Sequence, residues 1–242
     1  MNAHALAETH FATHIKQNPC PGRGLIVGRA ASEEAWLMVY WIMGRSVSSR
    51  NRRFVASGTE LRTEPIDTSQ MADPSLLIYD AMLELPGLYL VSNGDQTRTI
   101  YEALQAGRSF DDALATRERE PDAPHYTPRI SAMLDLRAHL GAVTLSILKA
   151  NPCNPAYTDR FTYRPATPVS GFGWGLTTYS GDGNPLPSFQ GEPLLLPLQG
   201  SPEDVLESYW SALNAENLVA LAVKHINAAD GSSRILVRNH YE

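Results

Sequence analysis

Two apolar runs near the start of the chain, residues 24–28 (GLIVG) and 35–43 (AWLMVYWIM), read as strands joined through the polar residues 29–34, which predicts a hairpin. The second run is apolar at nearly every position, so both faces of its strand must be covered, as in a buried sheet. The polar stretch 57–72 predicts a strand and loop, and Asp73-Pro74-Ser75 then introduces Leu76-Leu77-Ile78-Tyr79, with Tyr79 near the end of a helix or strand. Residues 87–92 form a strand pattern ending in Asn93-Gly94, 97–105 have helical character with Gly107 as a C-cap, and 110–118 predict a further helix. Residues 130–134 and 141–148 follow as apolar runs, the latter a good strand. From 151 to 197 the abundance of Gly and Pro predicts turns with short strands, and the aromatics Phe172, Trp174, Tyr179 and Phe189 favour packing over a flexible linker. Ser201-Pro202-Glu203-Asp204 has a cap, an N1 proline and first-turn acids, predicting a helix to about residue 214. Residues 219–226 and 233–237 predict a closing hairpin about Ala229-Asp230-Gly231.

Composition narrows the class. A length of 242 residues with 43% hydrophobic and 19% charged residues suits a globular chain, and one domain is favoured over two. A net charge of −6 argues against nucleic-acid binding by bulk electrostatics, so any basic site must be local. Cys20 and Cys153 make neither a disulfide framework nor a metal cluster, which fits a reducing cytoplasm. The polar opening MNAHALAETHFATHIKQ lacks the apolar core of a secretory signal, and no segment has the roughly 18 apolar residues of a membrane span.

The densest charge feature is the run from Arg45 to Arg53, with Arg45, Arg50, Arg52 and Arg53 in nine residues after an apolar strand. Guanidinium groups clamp phosphate oxygens in pairs, whereas a solvated basic loop is the plain alternative; the serines and the strand-end position favour phosphate. Asn93-Gly94-Asp95-Gln96-Thr97 places polar groups at a strand-to-helix turn, although an ordinary Asn-Gly turn explains it equally well. Glu118, Glu120 and Asp122 precede Thr127-Pro128-Arg129, so a carboxylate and an arginine could share a pocket; acidic loops are more often only solvated. Zinc-protease, nucleophile-elbow, P-loop and paired-cysteine motifs are all missing. Gly171-Phe172-Gly173-Trp174-Gly175 lacks the strand-loop-helix setting of a nucleotide loop, and His125, His139 and His225 show no ligand spacing.

Six segments in order resemble the archaeal-type IMP cyclohydrolase family: Asn18-Pro19-Cys20-Pro21-Gly22-Arg23-Gly24, Gly44-Arg45-Ser46 through Asn51-Arg52, Asp73-Pro74 through Tyr79, Asn93 through Thr97, Tyr126-Thr127-Pro128-Arg129-Ile130, and Gly173-Trp174-Gly175-Leu176-Thr177-Thr178-Tyr179. The resemblance covers about residues 18–238 and implies a single α/β (α+β) domain over 1–242. Its architecture would be a four-layer αββα sandwich similar to the N-terminal-nucleophile hydrolases, without their processed nucleophile. It implies ring closure of 5-formamidoimidazole-4-carboxamide ribonucleotide to IMP in purine biosynthesis, with no cofactor or metal. The partner would be that small nucleotide alone, with no nucleic acid or membrane, and a homo-oligomer is left open. By position, Tyr79, Glu120 and Arg50 would be catalytic, and Arg23, Arg45, Asn51, Asn93, Gly94, Thr127 and Arg129 would bind substrate. Cys20, Asp80 and His125 depart from the residues usual in the bacterial branch. Those departures keep open a relative acting on another heterocyclic nucleotide. An N-terminal-nucleophile amidohydrolase using Cys20, and a nucleotide-binding module without catalysis, are the other readings.

Overall fold

The computed structural model describes residues 2–70 and 74–241, so Asp73, at the head of the Asp73-Pro74 motif, and the end of the 57–72 stretch lie outside the described residues. The expected first hairpin forms from β1 (Gly24–Arg29) and β2 (Ala35–Met43), which pair antiparallel from Gly24↔Trp41 to Arg29↔Trp36. All nine residues of β2 are buried, as its uninterrupted apolar character requires.

Two antiparallel sheets build the molecule. The first has six strands. Besides β1 and β2 it contains β10 (Phe172–Thr177), β11 (Leu194–Pro197), β12 (Leu218–Asn227) and β13 (Ser233–Asn239), in the order β11-β10-β1-β2-β12-β13. The second has seven strands that follow chain order: β3 (Arg52–Ser57), β4 (Glu60–Pro65), β5 (Asp80–Leu85), β6 (Leu88–Ser92), β7 (Arg129–Asp135), β8 (Ala142–Ala150) and β9 (Thr158–Tyr163). One apolar cluster joins them, with Leu25, Trp41 and Val223 from the first sheet and Ala81, Ile130 and Leu145 from the second. Helices α3 (Gln96–Gln105) and α4 (Phe110–Ala115) cover the second sheet, where Ile100, Ala103, Phe110 and Leu114 pack with Leu90 and Leu148. On the first sheet, α1 (Ala3–His10) packs along β11, and α5 (Pro202–Ala212) packs on β12 and β13.

The glycines of the Gly171 to Gly175 run serve packing. A Cβ at Gly173 would sit 2.7 Å from Ile26 Cγ2 and 2.9 Å from Leu198 Cδ1, so only a glycine lets β10 lie this close to its neighbours. The structure adds to the sequence reading at three points. The polar start is helical, because Ala7, Phe11 and Ile15 recur every fourth residue and are buried, Phe11 against the Tyr209 ring at 5.1 Å between centroids. The arginine-rich run is not one loop: Ser46 caps the short helix α2 (Val47–Arg50), and Arg52 begins β3. The 57–72 stretch holds the expected strand, β4, which pairs back on β3, and Tyr79 stands at a strand end as expected, directly before β5, a strand the pattern does not predict. Among the described residues no helix is long and apolar enough to cross a membrane.

Candidate active site

The start of β1 and the end of β2 lie at the same end of their hairpin, and the chain leaving β2 passes through α2 into β3. Arg23, Arg45 and Arg52 thus meet around one opening although they are spread along the sequence. The opening is a cavity of about 420 Å³ whose wall also includes Cys20, Ser46, Ser49, Leu76 and Leu77, Glu120, Asp122, His125 and Thr127, and Tyr179 and Leu186.

Its floor is charged and buried. Arg23 donates from Nη2 to Glu120 Oε2 at 2.9 Å and from Nη1 to the Asn93 carbonyl at 3.0 Å. Both members of this ion pair are buried. Arg52, also buried, donates from Nε to the Ser49 carbonyl at 3.0 Å, while its Nη1 has no partner. Glu120 Oε1 is likewise unpartnered. Behind this wall the hydroxyls of Tyr40 and Tyr79 lie 2.7 Å apart, near enough to both arginines to influence their charge. Tyr179 meets Thr127 Oγ1 at 2.5 Å, and Thr127 in turn is held through its amide by Asp122 Oδ1 at 2.7 Å.

Burial dominates the electrostatics. It pushes the Glu120 carboxyl above the usual carboxylate range, against the opposing pull of Arg23, because only one of its oxygens is hydrogen-bonded. Burial opposes the charge of Arg23 most strongly, but Glu120, with Tyr79 and Tyr40 adding to it, outweighs burial and holds that guanidinium firmly protonated. Arg52 has no such carboxylate, and burial together with the neighbouring Arg23 lowers it. The Tyr179 phenol is pushed up to about 12 by burial, and burial raises the Cys20 thiol despite nearby Arg45. A thiol shifted in that direction is held protonated and is a poor nucleophile.

The family model described as IMP cyclohydrolase-like protein matches residues 20–231. The chain belongs to the IMP cyclohydrolase-like family. It is also 31% identical over 129 residues to a curated protein named IMP cyclohydrolase from Methanothrix thermoacetophila, an alignment covering 48% of this chain and 62% of that relative. The match thus spans about three-fifths of the relative's length.

Of the residues singled out from the family resemblance, Arg23, Arg45, Glu120 and Thr127 line the cavity. Tyr79 stands one layer behind, bonded to Tyr40. Arg50 is not among the lining residues; it donates to the Gly44 carbonyl at 2.9 Å and to Asn217 Oδ1 at 3.2 Å, bracing the start of α2. Asn51 is occupied with the backbone of Asp67, donating to its carbonyl and accepting from its amide. Asn93 is engaged at both ends: Nδ2 donates to the Pro128 carbonyl, and Oδ1 accepts from the Ile130 amide and from Gln96 Nε2. Arg129 donates to Asp95 Oδ1 at 2.6 Å and Gln96 Oε1 at 2.8 Å, and a Cβ at Gly94 would come within 2.7 Å of its Nη1. Asn93, Gly94 and Arg129 therefore form a scaffold that fixes the strand end and, through Asn93, Arg23.

Sequence reasoning gave Tyr40 and Tyr179 no site role, offered Asp122 only as one of three acids before Thr127, and offered Arg52 only as one of four arginines in the candidate anion run. Arg52 stood in a run of arginines that composition does not distinguish. Tyr40 was hidden inside an apolar strand, where its hydroxyl was the one available signal.

Proposed function

We propose that this chain closes the second ring of a purine nucleotide, converting 5-formamidoimidazole-4-carboxamide ribonucleotide to IMP and water. The observation that carries the reading is a buried acceptor, Glu120 Oε1, and a buried donor, Arg52 Nη1, both without protein partners and both on residues lining one cavity. Unpaired buried polar groups cost about 1–3 kcal/mol each, more when charged, and a substrate bearing a donor and an acceptor relieves that cost.

In this scheme the cavity selects the rotamer that brings the carboxamide nitrogen onto the formyl carbon of the same molecule. The new N–C bond turns the formyl oxygen into an oxyanion, which Arg52 stabilises, while Tyr79, hydrogen-bonded to Tyr40 one layer behind, positions that wall. Glu120, made more basic by burial, takes the carboxamide proton and returns it to that oxygen. The oxygen then leaves as water with the proton of the formamido nitrogen. Arg45, with Ser46 and Ser49 beside it at the mouth, takes the phosphate. Arg52 thus replaces Arg50 in the proposed catalytic set. The shared apolar interior supports a single domain, and two facing sheets with helices outside support the four-layer reading. A purine-biosynthetic role favours the cytoplasm.

Glu120→Gln keeps the shape of the side chain and removes its basicity. Turnover of the formamido ribonucleotide, followed by ultraviolet absorbance, should fall by about 10²–10⁴-fold. In the wild type the acid limb of the rate profile should lie above the usual carboxylate range, since the base must be ionised and burial raises its pKa. A Glu120→Gln enzyme that folds and turns over normally removes Glu120 from the chemistry. A second reading has its own observation: Cys20 and His125, two of the three departures, line the cavity, whereas Asp80 pairs with Arg98 outside it. Such a lining would suit a related heterocyclic nucleotide, and wild-type protein that binds IMP but does not turn over the formamido ribonucleotide would favour it.

A further inference from the structure

The segment 178–190 forms one lip of the cavity. Its base is fastened: Tyr179 and Ser188 form a β-bridge, the Phe189 amide donates to the Thr178 carbonyl at 3.0 Å, and the buried Lys149 ammonium donates to the Phe189 carbonyl at 3.0 Å. Its tip is tied across the opening by two polar contacts. The Leu186 amide donates to His125 Nδ1 at 3.1 Å, and Arg45 donates from Nη1 to Asp182 Oδ1 at 2.5 Å and to the Gly183 carbonyl at 3.0 Å.

The second contact is weakly held. Both acceptors fall on one nitrogen of the guanidinium, and among the described residues no acceptor is bonded to Arg45 Nε or Nη2. The side chains of Arg45 and Asp182 are 35% and 56% exposed, so water and salt screen the pair. A phosphate monoester carries more charge than a carboxylate and can take two parallel N–H donors from an arginine, which a carboxylate bound to one nitrogen does not. Arg45 is also the one member of this pair that lines the cavity.

We propose that Asp182 is an internal competitor for the phosphate site: its carboxylate pairs with Arg45, and a phosphate monoester must displace it to bind. This rests on the reading of Arg45 as the phosphate contact. Ligands that cannot displace the carboxylate, such as an uncharged nucleoside, gain nothing from Arg45. The return of Asp182 to Arg45 offsets part of the affinity for the phosphorylated product and so speeds its release.

The test measures ribose 5-phosphate and inosine by calorimetry against wild type, Asp182→Asn, Arg45→Ala and the double variant, with folding of each checked by circular dichroism. Asp182→Asn should bind ribose 5-phosphate about three- to tenfold more tightly, removing an exposed competitor and a like charge. The gain should disappear in the Arg45→Ala background, and inosine should bind all four proteins alike. Unchanged or weaker binding by Asp182→Asn, a gain that persists without Arg45, or no binding of the phosphate by any of the four would overturn the proposal. Turnover of the formamido ribonucleotide is read separately. Its absence alongside the expected coupling would reject the ring-closure reading and leave Asp182 as the competitor; its presence without the coupling would do the reverse.

Discussion

Arg50 and Arg52 differ by two positions and by everything that matters to chemistry. Arg50 donates to Gly44 and Asn217, while Arg52, a residue of the cavity wall, keeps its buried Nη1 unpartnered. Replacing a guanidinium by an ammonium preserves charge and loses the fork. Arg52→Lys should lower kcat by about 10²–10³, the effect of losing an oxyanion donor, and Arg50→Lys should leave kcat within about threefold. Equal losses in steady-state assays of the two variants would return Arg50 to the catalytic set. Tyr79 tests the same group of residues from behind. Tyr79→Phe keeps the ring, removes the hydroxyl that meets Tyr40, and should lower turnover by about tenfold, the effect of losing one supporting hydrogen bond, with IMP affinity little changed. Wild-type turnover would leave Tyr79 a packing residue. Glu120 also makes stability depend on pH. Its folded pKa is raised, so the folded state binds the extra proton, and its contribution falls as the pH climbs from the ordinary carboxylate value through the folded one.

Helix α5 shows how a local signature carries through to an element. Ser201 Oγ accepts from the Asp204 amide at 3.1 Å, and Asp204 Oδ2 accepts from the Ser201 amide at 2.9 Å, closing a capping box. Val205 and Tyr209 then point into the core, and the Tyr209 hydroxyl donates to the Pro197 carbonyl at 2.9 Å. Ser201→Ala should cost about 1 kcal/mol of stability in urea titrations. The hydrogen bonds from Ser201 hold the Asp204 carboxyl below its ordinary value. A depressed pKa contributes stability above the ordinary aspartate value, about 3.9, and loses it as the pH falls through the folded value. The gap between wild type and Asp204→Asn should therefore be full at pH 7 and close on acidification. A gap independent of pH would mean that the carboxylate's charge plays no part.

Across the whole molecule the two sheets are joined by one interior, so they should unfold together. Leu221, fully buried on β12 in the joint cluster, reports on that interior. Leu221→Ala should cost about 2–5 kcal/mol. Near- and far-ultraviolet circular dichroism should still trace one coincident denaturant transition, as expected of a single cooperative unit. Two separated transitions would divide the chain into independently folding parts and end the single-domain reading.

The sequence by itself determined most of the regular elements, because their signals are local. The apolar run of β2 demands cover on both faces, Ser201-Pro202 starts a helix wherever it stands, and Asn93-Gly94 marks the step from β6 into α3. The ordered motifs also fixed the family. What lay beyond local pattern was partnership. The alternation of Arg52 to Ser57 with Glu60 to Pro65 is too polar to declare a strand pair until the sheet supplies neighbours, and the helix at the start of the chain depends on an apolar stripe of only three residues. The site was legible as a set of residue types and not as a set of roles. Arg23 and Glu120 are 97 positions apart and meet only because β1 and the segment before β7 reach the same end of the facing sheets. Which arginine stays unpaired, and that Asn93 and Arg129 brace the pocket while Tyr179 borders it and Tyr40 stands behind it, are consequences of where hydrogen bonds are already made. Only the tertiary structure sets that, because burial decides which polar groups must find partners inside the protein.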